Sequence, residues 1–280
     1  MRTITADSIT QAVKKLCIDV NYYLTKDMYC ALKEAAQKEE SPLGREIIQT
    51  IVDNADFAGR ENVPLCQDTG LTVVFADVGQ DARIEGDFER AINKGVALGY
   101  TEGYLRKSSV NDPVFDRKNT LDNTPAIIHT RLVPGEKLKL RLAVKGAGSE
   151  NMGGLKMLKP SDGPEGIIKF AVDTVRSAGS NPCPPVVVGI GIGGTMEKAA
   201  LLAKESLLRP LGDVNPDPRY AKMEADILEK VNNTGIGPQG LGGRITAIAV
   251  KIECFPTHIA QMPVAVNLNC HASRHAEIEL

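Results

Sequence analysis

The stretch NPCPPVVVGIGIGGT, residues 181–195, joins a proline-rich loop, an apolar run and a row of glycines. Prolines on both sides of Cys183 exclude a helix or a regular sheet ladder at that point. The apolar run 186–190 predicts a buried strand, and Thr195 begins a segment that we expect to be helical as far as Arg209. A buried strand followed by a helix is typical of a sheet covered by helices, so this stretch points to the α/β class.

The rest of the chain predicts helices and strands that are interleaved without strict alternation. Apolar residues at helical spacing predict a helical layer in the first 58 residues. Further strands are expected at 71–78, 126–133, 137–144, 245–253 and 263–269, and further helices at 87–105, 164–178 and 217–231. We therefore predict a mixed α/β (α+β) fold, an N-terminal helical layer followed by a mixed sheet with flanking helices. A single domain over residues 1–280 is expected, with 1–60 as a candidate helical subdomain.

Two local features of the fold are also predicted. The strands 126–133 and 137–144 flank Pro134-Gly135, which favours a hairpin between them. The last residues, from His271 onward, are polar and are expected to form a solvated tail.

Composition excludes several classes of function. The chain has 280 residues, of which 42% are apolar, and a formal net charge of −2. No basic stripe suggests nucleic acid, and the absence of Trp makes stacking on bases improbable. The N-terminus has no apolar signal segment, and no apolar run reaches the length of about 20 residues that a membrane helix needs. We expect a cytoplasmic protein that binds neither nucleic acid nor a membrane.

Three of the six cysteines lie in predicted loops. Cys66 follows Pro-Leu, Cys183 lies between prolines, and Cys270 ends a strand and is expected to precede a short helix. The other three fall in predicted helices or a strand and are expected to be packing residues: Cys17, Cys30 and Cys254. Spacing alone leaves open whether the loop cysteines are a metal site or unrelated thiols. Three thiolates on a four-iron cluster would leave one iron without a protein ligand, as Lewis-acid chemistry requires.

Two glycine-rich segments admit more than one interpretation. Residues 189–194 match GxGxxG, which is typical of dinucleotide binding, but the region about 20 positions later is rich in proline and does not read as a strand. Tight packing, or a helix N-terminus that faces an anion, is the alternative. Residues 145–151, KGAGSEN, are consistent with an anion-binding nest or with an ordinary turn.

Histidines provide two further candidates. His271 and His275 are spaced i, i+4 beside Cys270, which could serve zinc or simply belong to a solvated terminus. His258 lies in a predicted loop before the last strand, where it could act as an acid, a base or a substrate ligand.

Five motifs in order resemble one family over nearly the whole chain. They are PLCQDTG, YTEGYLR, KGAGSEN, NPCPPVVVGIGIGGT and HIAQMPVAVNLNC. Together they are similar to the α subunit of two-subunit class I fumarases and L-tartrate dehydratases, the iron–sulfur hydro-lyases.

This resemblance implies a cofactor and a set of site residues. It implies that a [4Fe–4S] cluster is held by three metal ligands: Cys66, Cys183 and Cys270. It implies that the substrate is bound by Gln67, Asp68, Arg106 and Gly148. It further implies catalytic roles for Asp68, in proton transfer, and for His258.

The resemblance also implies a partner and a reaction. The chain stops soon after Cys270, where single-chain members continue into a domain with further catalytic residues. We therefore expect a separate β subunit that completes the site, in a higher hetero-oligomer. The expected reaction is reversible hydration of fumarate to L-malate, a step of the tricarboxylic acid cycle. The alternatives are the same chemistry on L(+)-tartrate, a dinucleotide-binding oxidoreductase subunit, and a zinc or scaffold protein.

Overall fold

The computed structural model describes residues 2–280, which divide into two compact units. The first unit contains the residues up to Thr25, Ala55–Ala147 and Arg274–Leu280, and the second contains Lys26–Asn54 and Gly148–Ser273. Helices and mixed sheets occur in both, so the predicted mixed α/β class is confirmed. The helices of the first 60 residues contribute to both units, and the domain assignment itself stays a prediction.

The helices and strands follow one another along the chain as predicted in most places. The helices are α1 (Ala6–Tyr22), α2 (Lys26–Lys38), α3 (Pro42–Glu61), α4 (Phe88–Glu102), α5 (Ala147–Glu150), α6 (Gly163–Ala178), α7 (Met196–Ser206) and α8 (Pro218–Asn232). The strands are β1 (Arg2–Thr5), β2 (Leu71–Gly79), β3 (Ala82–Glu85), β4 (Ile127–Val133), β5 (Leu138–Lys145), β6 (Gly154–Leu158), β7 (Val186–Gly193), β8 (Ala247–Phe255), β9 (Met262–Asn269) and β10 (His275–Glu279). Among residues 2–280, no helix has the length and apolar character needed to span a membrane.

The first unit is built on a four-stranded sheet in the order β10-β5-β2-β4. Strand β2 pairs antiparallel with β5 and parallel with β4, and most of its residues are buried. Helices α1 and α4 pack on each other, and their apolar faces join the sheet in one core. Strands β1 and β3 form a separate parallel pair.

The predicted hairpin of β4 and β5 is wrong. Both strands exist, but β2 lies between them and pairs with each. The physical reason is burial: β2 is apolar on both faces and takes the interior position, whereas β4 exposes most of its residues and suits an edge.

The C-terminal segment is also different from the prediction. It is not a solvated tail, and the residues after Cys270 form no short helix: His275–Glu279 is β10, which pairs antiparallel with β5. Ala276 and Ile278 pack against the core, while Glu277 and Glu279 form ion pairs on the other face. This alternation is the period of a half-buried strand.

The second unit contains a four-stranded sheet in the order β6-β9-β7-β8. Strand β7 is buried along its whole length, pairing parallel with β8 and antiparallel with β9. One face of β7 presents Val186, Val188, Ile190 and Ile192 to a core that includes α6 and α8, and the other face meets α7. Strand β6, which the glycine-rich sequence did not predict, is an edge strand beside β9.

The glycines of β7 lie inside the strand rather than in a phosphate-binding loop. A Cβ added to Gly189 would lie 2.3 Å from the Ala203 carbonyl oxygen, and one added to Gly191 would lie 2.0 Å from that of Ala199. Only glycine therefore lets α7 approach the strand so closely. Of the interpretations of this motif, tight packing is the one that the structure supports.

A buried carboxylate, that of Glu39, joins the end of α2 to the loop before β8. The residue is 2% exposed and its carboxylate accepts main-chain hydrogen bonds from Ser41 (2.9 Å), Arg244 (2.8 Å) and Ile245 (2.7 Å). Burial tends to raise the pKa of Glu39, but the main-chain donors outweigh it and hold the pKa below the ordinary value of 4.5. The ionised form is therefore the one that stabilises this loop.

We expect Glu39→Gln to destabilise the protein at neutral pH, because an amide group cannot accept the same set of main-chain donors. The loss should be about 1–3 kcal/mol. Since the folded pKa lies below the unfolded value, the contribution is present above the unfolded pKa and is lost as the pH falls through the folded pKa. Denaturant unfolding between neutral pH and about pH 3 should show the difference between wild type and variant shrinking. The exposed Glu46→Gln is the matched control, and a Glu39 difference that stays constant with pH would contradict the assignment.

Candidate active site

The loop that carries Cys66 is fixed at both ends within the first unit. At its start, the main-chain N–H of Leu65 donates to the Asn21 carbonyl oxygen at 2.8 Å. At its end, the Gly70 carbonyl oxygen accepts hydrogen bonds from the buried Tyr100 hydroxyl and the Asn123 side-chain amide, both at 3.0 Å. Strand β2 begins at the residue after Gly70. The loop is therefore held by buried polar groups rather than by apolar packing.

The carboxylate of Asp68 is oriented by groups from three segments of the first unit. Oδ1 accepts the Gly70 N–H at 3.0 Å and pairs with Arg106 Nη2 at 3.2 Å. Oδ2 accepts the N–H of Ala147, the first residue of α5, at 2.9 Å. The structure thus brings three of the sequence motifs together at one carboxylate, whose direction is set largely by the main chain.

Cys66 lies next to this carboxylate and is partly exposed. Its Sγ accepts the main-chain N–H of Asp68 at 3.4 Å. This hydrogen bond helps to orient the sulfur within the loop.

Two further predicted substrate ligands of this unit face solvent. The Arg106 side chain is 55% exposed and donates from Nε to Ser108 Oγ at 3.1 Å. Its main chain is held by the Thr69 hydroxyl, which donates to the Arg106 carbonyl oxygen at 2.8 Å. Gln67 is also exposed. Both side chains are therefore accessible to a small anion.

Cys183 and Cys270 are brought to the same end of a sheet within the second unit. Cys183 precedes β7 and Cys270 follows β9, and these two strands pair antiparallel with Val187 opposite Asn269. The main-chain N–H of His271 donates to the Cys183 carbonyl oxygen at 3.3 Å, and His271 Nδ1 lies 3.0 Å from the same oxygen. Gln239 holds the next residue through its side-chain amide, which donates to the Pro184 carbonyl oxygen at 2.8 Å.

The backbone at Cys183 is in the left-handed region, with a φ of 55°. A residue with a Cβ adopts this conformation at a cost, and such residues are concentrated at functional sites. Its side chain is exposed. The strain and the exposure together argue that the cysteine at this position serves a function other than packing.

Gly148 and His258, the remaining predicted site residues, also belong to the second unit. A Cβ added to Gly148 would lie 3.1 Å from the Asn181 carbonyl oxygen, so the glycine allows α5 to lie close to the Cys183 loop. His258 is exposed, and its Nδ1 accepts the Ala260 N–H at 3.1 Å. That hydrogen bond leaves Nε2 as the nitrogen that can carry a proton outward.

The six cysteines differ in exposure, both among the three in the predicted loops and among the three elsewhere. Cys17 is fully buried, and burial raises its pKa to about 12, so the packing role expected for it is confirmed. The same expectation is wrong for Cys30 and Cys254, which are exposed. Among residues 2–280, no group of three or more His, Cys, Asp or Glu side chains is arranged to hold a metal ion.

Sequence reasoning missed the polar residues behind the Cys66 loop. Arg274 is 2% exposed, and its Nη1 donates to the Asp68 carbonyl oxygen at 2.6 Å and to Asn21 Oδ1 at 3.1 Å. Asn123 is fully buried and accepts the Ser108 and Ser109 N–H groups. The sequence signal available for Arg274 was indirect. Polar and apolar residues alternate at 273–279, which indicates a strand, and a residue at the start of a strand can be buried.

Comparison with known proteins agrees with this arrangement of motifs. The family model of fumarate hydratase (fumerase) matches residues 10–279. A Methanocaldococcus jannaschii protein, provisionally named L(+)-tartrate dehydratase subunit alpha, is 41% identical over 273 residues, which are 96% of each chain. The L(+)-tartrate dehydratase subunit alpha of Escherichia coli K12 is 32% identical over 276 residues, covering 97% of this chain and 90% of the relative.

A third relative of the same name, from Shigella boydii, is also 32% identical over 276 residues, with the same coverage of 97% and 90%. The matched region extends from the first helix to the last strand and includes both units. The chain therefore belongs to the fumarate hydratase family of hydro-lyases, as its motifs predicted.

Proposed function

We propose that this chain is the α subunit of an iron–sulfur hydro-lyase that adds water to, or removes it from, a four-carbon dicarboxylate. The observation that carries the proposal is the antiparallel pairing of β7 with β9, which puts Cys183 and Cys270 at the same end of one sheet. Cys66 and Asp68 occupy one fixed loop of the other unit. Sheet topology thus supports Cys183 and Cys270 as ligands, and the Asp68 carboxylate in the same loop supports Cys66.

The donor set fits a [4Fe–4S] cluster. Cys66, Cys183 and Cys270 are exposed or partly exposed, and they lie in loops rather than in a core. One of the thiols already accepts a main-chain N–H, the kind of outer hydrogen bond that tunes cluster sulfurs. When bound through three thiolates, the cluster supplies an iron with an open position that acts as a Lewis acid on substrate oxygen.

Asp68 is the residue we assign to proton transfer. Hydration of a double bond adds hydroxide to one carbon and a proton to the next, and dehydration reverses both steps. A carboxylate held by the N–H groups of Gly70 and Ala147 presents its oxygens in one direction, which suits a proton exchange at carbon. A residue of the partner subunit completes the exchange on the substrate.

Arg106 and Gln67 are assigned to substrate binding. An exposed guanidinium can bind a carboxylate by donating two parallel N–H hydrogen bonds to it. One nitrogen of the Arg106 guanidinium is already oriented by Asp68. Gln67, the residue before Asp68, offers an exposed amide. The main chain near Gly148 approaches the substrate where no side chain obstructs it, and His258 provides a nitrogen that carries a proton.

A separate β subunit is the proposed partner. The relatives that match over 90% or more of their length are named as α subunits. The predicted site residues on this chain include one arginine for a substrate with two carboxylates, so a second carboxylate ligand is expected from the partner. We propose a cytoplasmic hetero-oligomer of the two subunits.

Two substrates fit the proposal, fumarate and L(+)-tartrate. Fumarate is favoured by the family model, and tartrate by the names of the relatives. Assay of the reconstituted subunits with both substrates, under anaerobic conditions, decides between them. Turnover of neither substrate would contradict the proposal.

The rival functions have less support. The glycine row of a dinucleotide site is used here for contact between α7 and β7. A zinc site at His271 and His275 is disfavoured because the His271 ring already contacts the Cys183 carbonyl oxygen and Gln239, while His275 belongs to β10.

We expect Cys183→Ala to remove the cluster while the fold is retained. Bound iron should fall from about four atoms per chain to near zero, with loss of the visible iron–sulfur absorbance and of activity. Cys30→Ala is the matched control, since Cys30 is an exposed free thiol on α2. Full iron content in the Cys183 variant would show that this thiol is not a ligand.

The cluster-free chain should reveal the strain at Cys183. Glycine adopts a φ of 55° without penalty, so Cys183→Gly should be more stable than Cys183→Ala by about 1 kcal/mol. Denaturant unfolding of the two apo-variants measures this difference. Equal stability, or a more stable alanine variant, would mean that the backbone is not strained in solution.

Arg106→Ala should raise KM by about 10- to 100-fold, because it removes a charged hydrogen-bond partner of the substrate. Iron content should not change, and kcat should change much less than KM. Arg60→Ala, at an exposed arginine near the end of α3, is the control. Loss of the cluster with an unchanged KM would assign Arg106 a structural role instead.

A further inference from the structure

Arg274 is a buried cation without an anionic partner in the described part of the chain. The residue is 2% exposed, and within residues 2–280 its guanidinium forms no ion pair and its Nε has no hydrogen-bond partner. Removing a charge from water is costly unless other groups compensate it. The cost of burying this guanidinium therefore indicates that Arg274 has a specific function.

The guanidinium is directed at the loop that carries Cys66 and Asp68. Nη1 donates to the carbonyl oxygen of Asp68 at 2.6 Å, which fixes the main chain at the residue whose carboxylate we assign to proton transfer. The same nitrogen donates to Asn21 Oδ1 at 3.1 Å. Arg274 is itself fixed, because its carbonyl oxygen accepts the Val144 N–H of β5 at 3.0 Å.

Asn21 completes the arrangement at the other end of the loop. Its carbonyl oxygen accepts the Leu65 N–H at 2.8 Å, and its side-chain amide donates to the Cys17 carbonyl oxygen of α1 at 2.8 Å. Asn21 is fully buried. Together Asn21 and Arg274 hold the loop at Leu65 and at Asp68, the residues on either side of Cys66 and Gln67.

Gly146 shows how closely these groups are packed. A Cβ on Gly146 would lie 3.0 Å from Asp68 Oδ2 and 3.4 Å from Arg274 Nη2. The glycine-rich loop therefore lies against both the carboxylate and the guanidinium.

We propose that Arg274 is a positioning residue which, with Asn21, clamps the Leu65–Asp68 loop and so sets the direction of the Asp68 carboxylate and the Cys66 thiol. The clamp deepens the proposed function, on which its catalytic consequence rests. Arg274 acts through the loop and does not touch the substrate. Its charge faces the loop that carries Cys66 and the Asp68 carboxylate.

The first test is independent of activity and uses the cluster-free full chain. In Arg274→Met, hydrogen exchange of the amides that the clamp protects, in the peptide covering Leu65 to Gly70, should accelerate at least tenfold. Alkylation of Cys66 should accelerate, while that of Cys30 should not. Arg141→Met is the matched control, because Arg141 is a largely buried arginine of β5 in the same unit that pairs with Asp77 instead of the loop. Unchanged exchange and alkylation in Arg274→Met would overturn the proposal.

The second test uses the reconstituted, cluster-loaded complex. Arg274→Met should lower kcat per intact cluster at least tenfold with KM changed less than threefold, whereas Arg141→Met should keep kcat even if it lowers the melting temperature. Arg274→Lys keeps the charge but cannot make both hydrogen bonds in the same geometry, so it should show the same defect to a smaller degree, and it serves if the methionine variant does not fold. A kcat within threefold of wild type in both Arg274 variants would overturn the catalytic consequence. A third outcome separates the two proposals. If the loop becomes mobile in the variant but the wild type shows no hydro-lyase activity, the proposed function is contradicted and the clamp is not.

Discussion

The pairing of β7 with β9 is the constraint on which the second unit and its part of the candidate site depend. The register puts Val187 opposite Asn269, so the residues just before one strand and just after the other must meet at the same sheet end. A shift of one residue would turn every side chain of these strands to the other face. The row of glycines protects this register, because α7 fits only where Gly189 and Gly191 present no Cβ. The position of Cys183 relative to Cys270 thus follows from helix packing one layer away.

The predicted site residues are fixed in different ways within each unit. In the second unit, a strained backbone at Cys183 and a main-chain hydrogen bond from His271 fix the loop. In the first, the Cys66 loop is fixed by buried polar side chains, chiefly Asn21 and Arg274, which form hydrogen bonds with main-chain and amide groups. Buried polar networks of this kind specify one conformation, at the cost of strong destabilisation when one member is removed.

Much of this could be predicted from sequence, and the failures have physical causes. Strong apolar periodicity predicted α1, α6 and α8 to within about two residues. The pairing of β4 with β5 was predicted wrongly because a local turn signal at Pro134-Gly135 says nothing about a third, more apolar strand that competes for the place between them. Strand β6 was missed because its edge position requires little burial.

The candidate site likewise contains residues that sequence patterns marked and residues that they did not. Loop contexts made Cys66, Cys183 and Cys270 candidates, and family motifs made Asp68 and Arg106 candidates, because these residues are adjacent in sequence to recognisable patterns. Arg274 had no such pattern: its function depends on a contact with a residue 206 positions away, at Asp68. Exposure of Cys30 and Cys254 likewise depends on which helix or strand face remains uncovered, which single-sequence periodicity does not determine.

Some of the predicted site residues are fixed and others are exposed, and this difference affects which substrate the site can select. Asp68 is held by main-chain N–H groups and by the clamp behind it, so its position does not depend on the substrate. Arg106 and Gln67 are exposed, so in the proposed complex with a β subunit they can be complemented by different groups of the partner. Malate and tartrate differ by one hydroxyl, and a site that hydrogen-bonds such a group can reject an analogue without it by a factor of about 10⁴ or more. Discrimination between the two therefore requires one added polar partner at the exposed side, and it leaves the Asp68 loop unchanged.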